Sequence, residues 1–275
     1  MRQCLLAMRM MICAHAHIEL SERGGEVGGG EWTVGIFLGG SNLTEEGDRM
    51  DRDGHDICIE SVRPDEIEAL LELYIDLFFD REPLTKCMGL SKERMASIAR
   101  SMYLGSDVNP ISQGLCWVAR DGNAGNQAVG FIVCDDPFAE GHAAVPDDLT
   151  DEELVHVSAL QAFLEEVRGP LQEQGALQAG TFLHIAAIGV APGYEGAGIA
   201  TRLLQTALEG GETLGFLYAF AECTSVASKK CHEKNGFTTL HAVAGDSFVW
   251  NGTEPFAKRE LEVFLVGKDL RRKDG

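Results

Sequence analysis

One stretch constrains the fold more than any other: FLHIAAIGV, APGYEGAG and IATRLLQTALEGG, running without a break over residues 182–211. The first nine residues carry no formal charge and are too uniformly apolar for an edge strand, so they predict a central one. The next eight contain Gly193, Gly196 and Gly198 and predict a tight turn that a ligand can approach at backbone distance. The last segment has helical periodicity and is expected to end near Gly210 and Gly211. A strand, a glycine turn and a helix in this order leave free amides at the helix N-terminus, a natural seat for a phosphate or pyrophosphate. The turn is not a P-loop, because no Gly-Lys-Ser/Thr follows. Its G-x-x-G-x-G spacing also reverses the dinucleotide fingerprint.

The chain around it is long enough for one sizeable core plus a tail or insertion, with 275 residues, 45 % hydrophobic and 24 % charged. Its 23 basic against 43 acidic side chains give a formal charge of −20, which argues against nucleic acid and against anionic lipid as partners. A cationic or neutral small substrate suits that field. The eight cysteines show no C-x-x-C spacing, so neither a zinc site nor any other metal site is expected. They read as core thiols of a reducing, cytoplasmic compartment. No apolar run is long enough to span a membrane.

Residues 1–56 differ from the rest. Positions 21–56 hold ten glycines, nine acids and three bases, and cannot bury enough apolar surface to offset their ordering entropy. This segment is expected to be mostly disordered, although WTVGIFLGG (32–40) has some strand character. His15 and His17 have no third ligand nearby and read as part of a polar tail.

Order is expected from ICIESV (57–62), a strand, followed by a helix opened by Pro64 and Asp65 and carrying Ile67, Leu70, Leu71, Tyr74, Leu77 and Phe78 at helical spacing. The turn DREPLT ends it. Ser91 reads as the N-cap of a second helix over 91–103, with Met95, Ile98 and Met102 on one face. LCWVA and AVGFIVC, joined by DGNAGNQ, predict a hairpin. Residues 135–180 hold eleven acids and one base, Arg168. Thr150 and Glu153 form a capping box there, and the helix after it buries Leu154, Val157, Leu160, Leu164 and Val167. Its acidic face is either simply solvated or an attractor for a cationic substrate. FLYAFAEC (216–223), a helix over 225–235 stopped by Asn235-Gly236, and strands at FTTLHAV and ELEVFLVGKDL complete the domain. The last residues, 271–275, form a basic tail.

Three segments in this order resemble a known family. IGVAPGYEGAGIATRLL is similar to the acetyl-CoA-binding motif of the GCN5-related N-acetyltransferases (GNAT), ASKKCHEKNGF to that family's next motif, A-x-x-x-Y-x-K-x-G-F, and VRPDEIEAL to its first strand-to-helix turn. The resemblance covers roughly residues 57–270. It implies an α/β fold with a mixed, centrally splayed sheet of about six or seven strands and helices on both faces. It also implies acetyl-CoA as cosubstrate, met by Ile188, Gly189, Val190, Gly193, Tyr194, Glu195, Gly196, Ala197, Gly198, Ile199 and Ala200. More narrowly, FFDREPLTKCMGLS resembles the D-E-P-L-N motif of insect arylalkylamine N-acetyltransferases of the dopamine-acetylating type. AECTSVASKK resembles their C-S-S-x-x-S segment, and the acidic insertion at 135–180 resembles theirs.

The resemblance places a general base at Glu82, an oxyanion donor on the backbone near Val190, and hydroxyls at Thr224 and Ser228. His232 stands where the family often has the Tyr that protonates the leaving thiolate. Burial of Glu82 beside Phe79, Pro83 and Leu84 would make it a stronger base. Simpler roles compete: Glu82 as a turn carboxylate, Thr224 as a helix cap sharing a face with Ser228, and His232 as a surface histidine. Two departures stand out. Gly193 replaces the usual basic or Gln residue, and Glu195 stands where members often carry Arg, beside the expected pyrophosphate. The function implied is acetyl transfer from acetyl-CoA to the primary amine of a small molecule, an arylalkylamine first and a polyamine second. A catalytically silent CoA-binding relative is the remaining alternative.

Overall fold

The computed structural model describes residues 54–104, 109–139, 146, 148–257 and 259–271. The strand expected at 32–40, the residues His15 and His17, and the tail beyond residue 271 lie outside them.

Seven strands form one sheet: β1 (Ile57–Ser61), β2 (Cys116–Asp121), β3 (Gln127–Asp135), β4 (Phe182–Val190), β5 (Tyr218–Cys223), β6 (Thr238–Ala244) and β7 (Glu262–Asp269). Their order across the sheet is β1-β2-β3-β4-β5-β7-β6. All neighbours are antiparallel except β4 and β5. The apolar run at 182–190 is thus the central strand, fourth of seven.

Among the described residues, six α-helices cover the sheet: α1 (Ile67–Phe78), α2 (Pro83–Met88), α3 (Lys92–Leu104), α4 (Asp151–Arg168), α5 (Ile199–Leu214) and α6 (Val226–Lys234). On one face Leu203, Leu204, Ala207 and Leu208 of α5 bury against Trp117, Ala119, Val129, Ile132, Leu183 and Ile185. On the other, α1 lays Leu70 and Leu77 on Val118, Phe131, Val133 and Ala187. Phe163 and Val167 of α4 pack on Phe182, Phe220, Val263 and Leu265. Burial of this kind contributes roughly 25 cal/mol per Å² of apolar surface and outweighs the local propensities.

The expected capping box at the start of α4 is present: Thr150 Oγ1 accepts from Glu153 N at 3.2 Å, and Glu153 accepts from Thr150 N at 2.8 Å. Arg94 of α3 binds the same Glu153 carboxylate, which ties α3 to the start of α4. Along α4 Phe163 and Val167 are fully buried and Val157 is buried, while Leu154, Leu160 and Leu164 are only partly so.

Two expectations about helices fail for packing reasons. The helix after the glycine turn does not stop at Gly210 and Gly211; it runs to Leu214 and ends on Gly215, in the left-handed conformation. A Cβ on Gly210 would lie 2.6 Å from Trp117 Cζ2, and one on Gly211 2.6 Å from Leu183 Cδ2. The glycine pair is where the helix closes on the sheet, not where it breaks. The turn DREPLT is also more than a turn, since its second half begins α2.

Candidate active site

The site is built on a gap in the sheet. β4 and β5 pair only through Phe182↔Tyr218, Leu183↔Ala219 and His184↔Phe220. Beyond His184, β4 stays with β3 as far as Val190, and β5 stays with β7 as far as Cys223. The two strands therefore part in the middle of the sheet. Ala191 N–H donates to Val129 O at 2.8 Å, on the β3 side. Alternation along a strand then turns the N–H of Val190 to the opposite edge, into the gap.

The glycine turn follows β4 at the mouth of the gap. Gly193, Gly196 and Gly198 have φ of +89°, +82° and +83°, and a Cβ at any of them would meet no other atom within 4 Å. The turn is thus held in a conformation that L side chains resist, with open space on that side. Gly198 is the N-cap of α5, and no side chain caps that helix; its first turn carries no acid either. The amides of Ile199, Ala200 and Thr201 are left for an outside acceptor, and the helix dipole favours an anion there. Tyr194 does not point out of the turn: its hydroxyl donates to Asp121 at 3.0 Å, and its ring packs on His55 with centroids 4.7 Å apart. Glu195, the acid in this turn, is engaged by Arg81.

Glu82 sits across the mouth as the N-cap of α2. Its Oε1 accepts from Leu84 N at 3.0 Å and its Oε2 from Thr85 N at 2.5 Å. The carboxylate is half-buried rather than enclosed by Phe79, Pro83 and Leu84. A carboxylate offers about four lone-pair positions, so two remain for a water or an amine. A cavity of about 730 Å³ opens at the other end of α2, between Met88, Arg94, His156 and Phe256. Glu82 is not among the residues that line it.

The β5 side of the gap differs from expectation in two respects. Ser225, not Thr224, caps α6, its Oγ accepting from Ser228 N at 3.1 Å. Thr224 precedes the helix and shares no helical face with Ser228. His232 is not a surface histidine but 1 % exposed, set edge-on to Phe237 with ring centroids 5.0 Å apart. Its Nδ1 lies 2.9 Å from Ser228 O. A carbonyl only accepts, so Nδ1 carries the proton and Nε2, which has no partner, is a bare acceptor. Burial lowers the ring's pKa, keeping it neutral. In this state it has no proton to offer through Nε2. Cys223 Sγ lies 3.5 Å from the same Nδ1, and burial pushes that thiol up to about 12, so it stays protonated. All six described cysteines are free.

Sequence reasoning missed a buried charged cluster at the apex of the gap. His184 Nδ1 meets Asp135 of β3 at 2.7 Å, and its Nε2 meets Glu222 of β5 at 2.8 Å. Arg168 of α4 binds the other oxygen of Glu222. The imidazole stacks on Phe220 with centroids 4.7 Å apart. Burial alone would lower the pKa of His184, but Glu222 and Asp135 overcome it and raise it to about 9. Burial likewise opposes ionisation of Glu222, and Arg168 and His184 reverse that, holding it well below the usual carboxylate range. A lone ionisable residue in each of FLHIAAIGV and FLYAFAEC, His184 and Glu222, is the available signal, since an ionisable group in a buried strand needs a partner.

A model of the Acetyltransferase (GNAT) family matches residues 78–237, more than half of the chain. The chain belongs to this family. Among solved structures, the C-terminal condensation domain of Ebony, in complex with beta-alanyl-dopamine, superposes with a TM-score of 0.65 at 17 % identity, over 78 % of this chain and 99 % of that one. A mosquito arylalkylamine N-acetyltransferase, like 5b, gives 0.60 at 22 % identity over the same shares. The polyamine N-acetyltransferase of Drosophila melanogaster, which forms N-acetylagmatine, gives 0.57 at 18 % identity over 78 % of this chain and all of that one. At these identities the likeness is one of fold. No described helix is long and apolar enough to cross a membrane.

Proposed function

We propose that this GNAT protein transfers the acetyl group of acetyl-CoA to the primary amine of a small molecule, an arylalkylamine in the first instance. The observation that carries the reading is the pairing of an uncapped helix N-terminus behind a positive-φ glycine turn with a gap between β4 and β5. An uncapped N-terminus suits a pyrophosphate, and the gap gives a pantetheine arm a course between two strands whose facing edges are unpaired.

The chain's residues then divide the work. Backbone amides from Gly198 to Thr201 hold phosphate oxygens. The Val190 N–H takes the charge that develops on the thioester oxygen as the amine nitrogen attacks. Glu82, directly or through a water on its free lone pairs, removes the proton the ammonium must lose. The nitrogen–carbon bond forms, the carbon–sulfur bond breaks, and the CoA thiolate takes up a proton. With His232 neutral and its proton on Nδ1, the hydroxyls of Thr224 and Ser228 are the groups left on the β5 side to relay one.

A polyamine acceptor is the second reading. It is favoured by the eleven acids of residues 135–180 and by the fold likeness to a polyamine N-acetyltransferase. The deciding experiment measures thiol release from acetyl-CoA across a panel of tyramine-like, indole-ethylamine and polyamine acceptors. Release with aryl amines supports the first reading, and release with polyamines alone supports the second. Tight acetyl-CoA binding without release for any amine would leave a CoA-binding relative without catalysis.

A further inference from the structure

We propose that Arg81, on the turn that carries the candidate base, is the side-chain cation for the cosubstrate's pyrophosphate, held ready by Glu195 until the anion arrives. The inference rests on the acetyl-CoA reading of the site and adds a residue to it.

The turn at 191–198 has no cation of its own. Gly193 occupies the position where a basic residue or Gln is usual, and Glu195 is the turn's sole charged residue. In the first turn of α5, Arg202 is turned away, its Nη2 donating to Ile57 O at 3.1 Å. Arg81 is the basic side chain in contact with the turn, bonding Glu195 through Nη2. In the D-E-P-L-N motif the residue before the Glu is an acid, whereas here it is Arg81. Two departures from the family pattern, an acid in the phosphate turn and a base in the acceptor-side turn, therefore meet in space as one pair of reversed polarity.

Stability does not explain the pair. Both side chains are about half exposed, at 45 % and 52 %, and an ion pair so exposed adds little to stability. What it does is hold the guanidinium to a residue of the glycine turn, three positions before the N-cap of α5. A dianionic pyrophosphate entering there offers Arg81 a second, stronger acceptor in bidentate geometry. Arg81 then spans Glu195 and the phosphate, or leaves the first for the second. In either case the turn bearing Glu82 is drawn to the bound cosubstrate.

A substitution of Arg81 alone would not decide the matter, because it also strands Glu195 beside the phosphates. The test compares three versions of the full chain. Affinities for acetyl-CoA and for S-acetylpantetheine, which lacks the pyrophosphate, are measured by calorimetry in wild type, Glu195→Gln and Glu195→Gln/Arg81→Gln. Glu195→Gln is expected to tighten acetyl-CoA several-fold. Adding Arg81→Gln should then weaken it about tenfold or more, the size of one charge-assisted hydrogen bond, with S-acetylpantetheine unmoved. Equal acetyl-CoA affinity with and without Arg81 in the Glu195→Gln background would overturn the proposal and leave Arg81 as a mere counter-charge. A wild-type chain that binds no acetyl-CoA would overturn the functional reading itself, and this inference with it.

Discussion

Two helix N-termini are linked through the Arg81–Glu195 pair just ahead of them, and the sequence treats them oppositely. At α2 proline in the first position has no amide to satisfy, and the next two, Leu84 and Thr85, both donate to an internal anion, the carboxylate of Glu82. At α5 the cap position is glycine, no side chain reaches the amides, and the first turn has no acid. One terminus is satisfied by the chain itself, and the other is reserved for a guest. A helix can be left uncapped at a cost of about 1 kcal/mol, so an open N-terminus beside a strained glycine turn marks where a ligand completes the structure. Glu82 has a double identity under this comparison. It closes α2 whatever else it does, so its presence alone does not prove catalysis.

The sharpest way to break the comparison is at Glu82. Glu82→Gln keeps one carbonyl oxygen to cap α2 but cannot take a proton. As a base, its loss should lower kcat/KM roughly 10²–10⁴-fold, with acetyl-CoA affinity and thermal stability little changed. As a cap alone, the substitution should cost about 1 kcal/mol of stability at most and leave the rate near normal. Steady-state kinetics beside a thermal melt separates the two, and a normal rate with an unchanged pH profile would remove Glu82 from the mechanism.

The next effect concerns the charged cluster at the apex of the gap, which joins β3, β4, β5 and α4. Glu222→Leu leaves the His184 imidazolium buried against one carboxylate and strands Arg168, and removing one partner of such a cluster costs about 3–5 kcal/mol. The same cluster gives stability a pH dependence with a definite sign. His184 has its pKa raised from 6.5 to about 9 on folding. The stability it contributes is therefore complete below pH 6.5 and is lost as the pH rises through about 9. A wild-type melting temperature that falls over that window, and a His184→Gln variant in which the slope disappears, are the expected results. A flat wild-type profile would mean the imidazole is neutral in the folded chain.

At the open terminus, Gly198→Val should weaken acetyl-CoA binding by tens-fold, because a β-branched residue at φ +83° forces the turn to rearrange. Gly196→Val should act the same way. Isothermal titration would show it, and unchanged affinity in both would place the cosubstrate elsewhere.

Much of this arrangement was legible in the sequence, for identifiable reasons. The central position of β4 follows from nine uncharged apolar residues, and the capping box at Thr150 follows from residue types three apart. The glycine turn was legible because positive φ has few alternatives to glycine. What was hidden depended on partners distant in sequence. Gly210 and Gly211 have the local signature of a helix end, and only Trp117 and Leu183 pressing on them make them interior. The short helix α2 is capped by Glu82, and Glu is not among the residue types that announce an N-cap. Arg81 and Glu195 lie 114 positions apart, and the Asp135–His184–Glu222–Arg168 cluster draws on three strands and a helix. Nothing local announces such pairings; an ionisable residue inside an apolar strand says only that a partner exists.

A third helix terminus gives the smallest effect and the finest test of the comparison. α6 begins at Val226 behind Ser225, whose hydroxyl accepts from Ser228 N. Thr224, one residue earlier, is half-buried at the end of β5 and is not the cap. The cap role thus falls to Ser225, and Thr224 is left to the relay proposed for it. Ser225→Ala should lower stability by about 1 kcal/mol, as loss of a Ser cap usually does, without touching the chemical step. Thr224→Val, of nearly the same shape, should leave the melting temperature where it is. If that hydroxyl relays a proton, it should lower kcat while leaving the acetyl-CoA affinity alone. Denaturant melts and turnover measured on both variants decide it. Should Thr224→Val cost stability and Ser225→Ala cost turnover, the division is reversed, and the β5 side of the gap acts through the start of α6 rather than through the end of its strand.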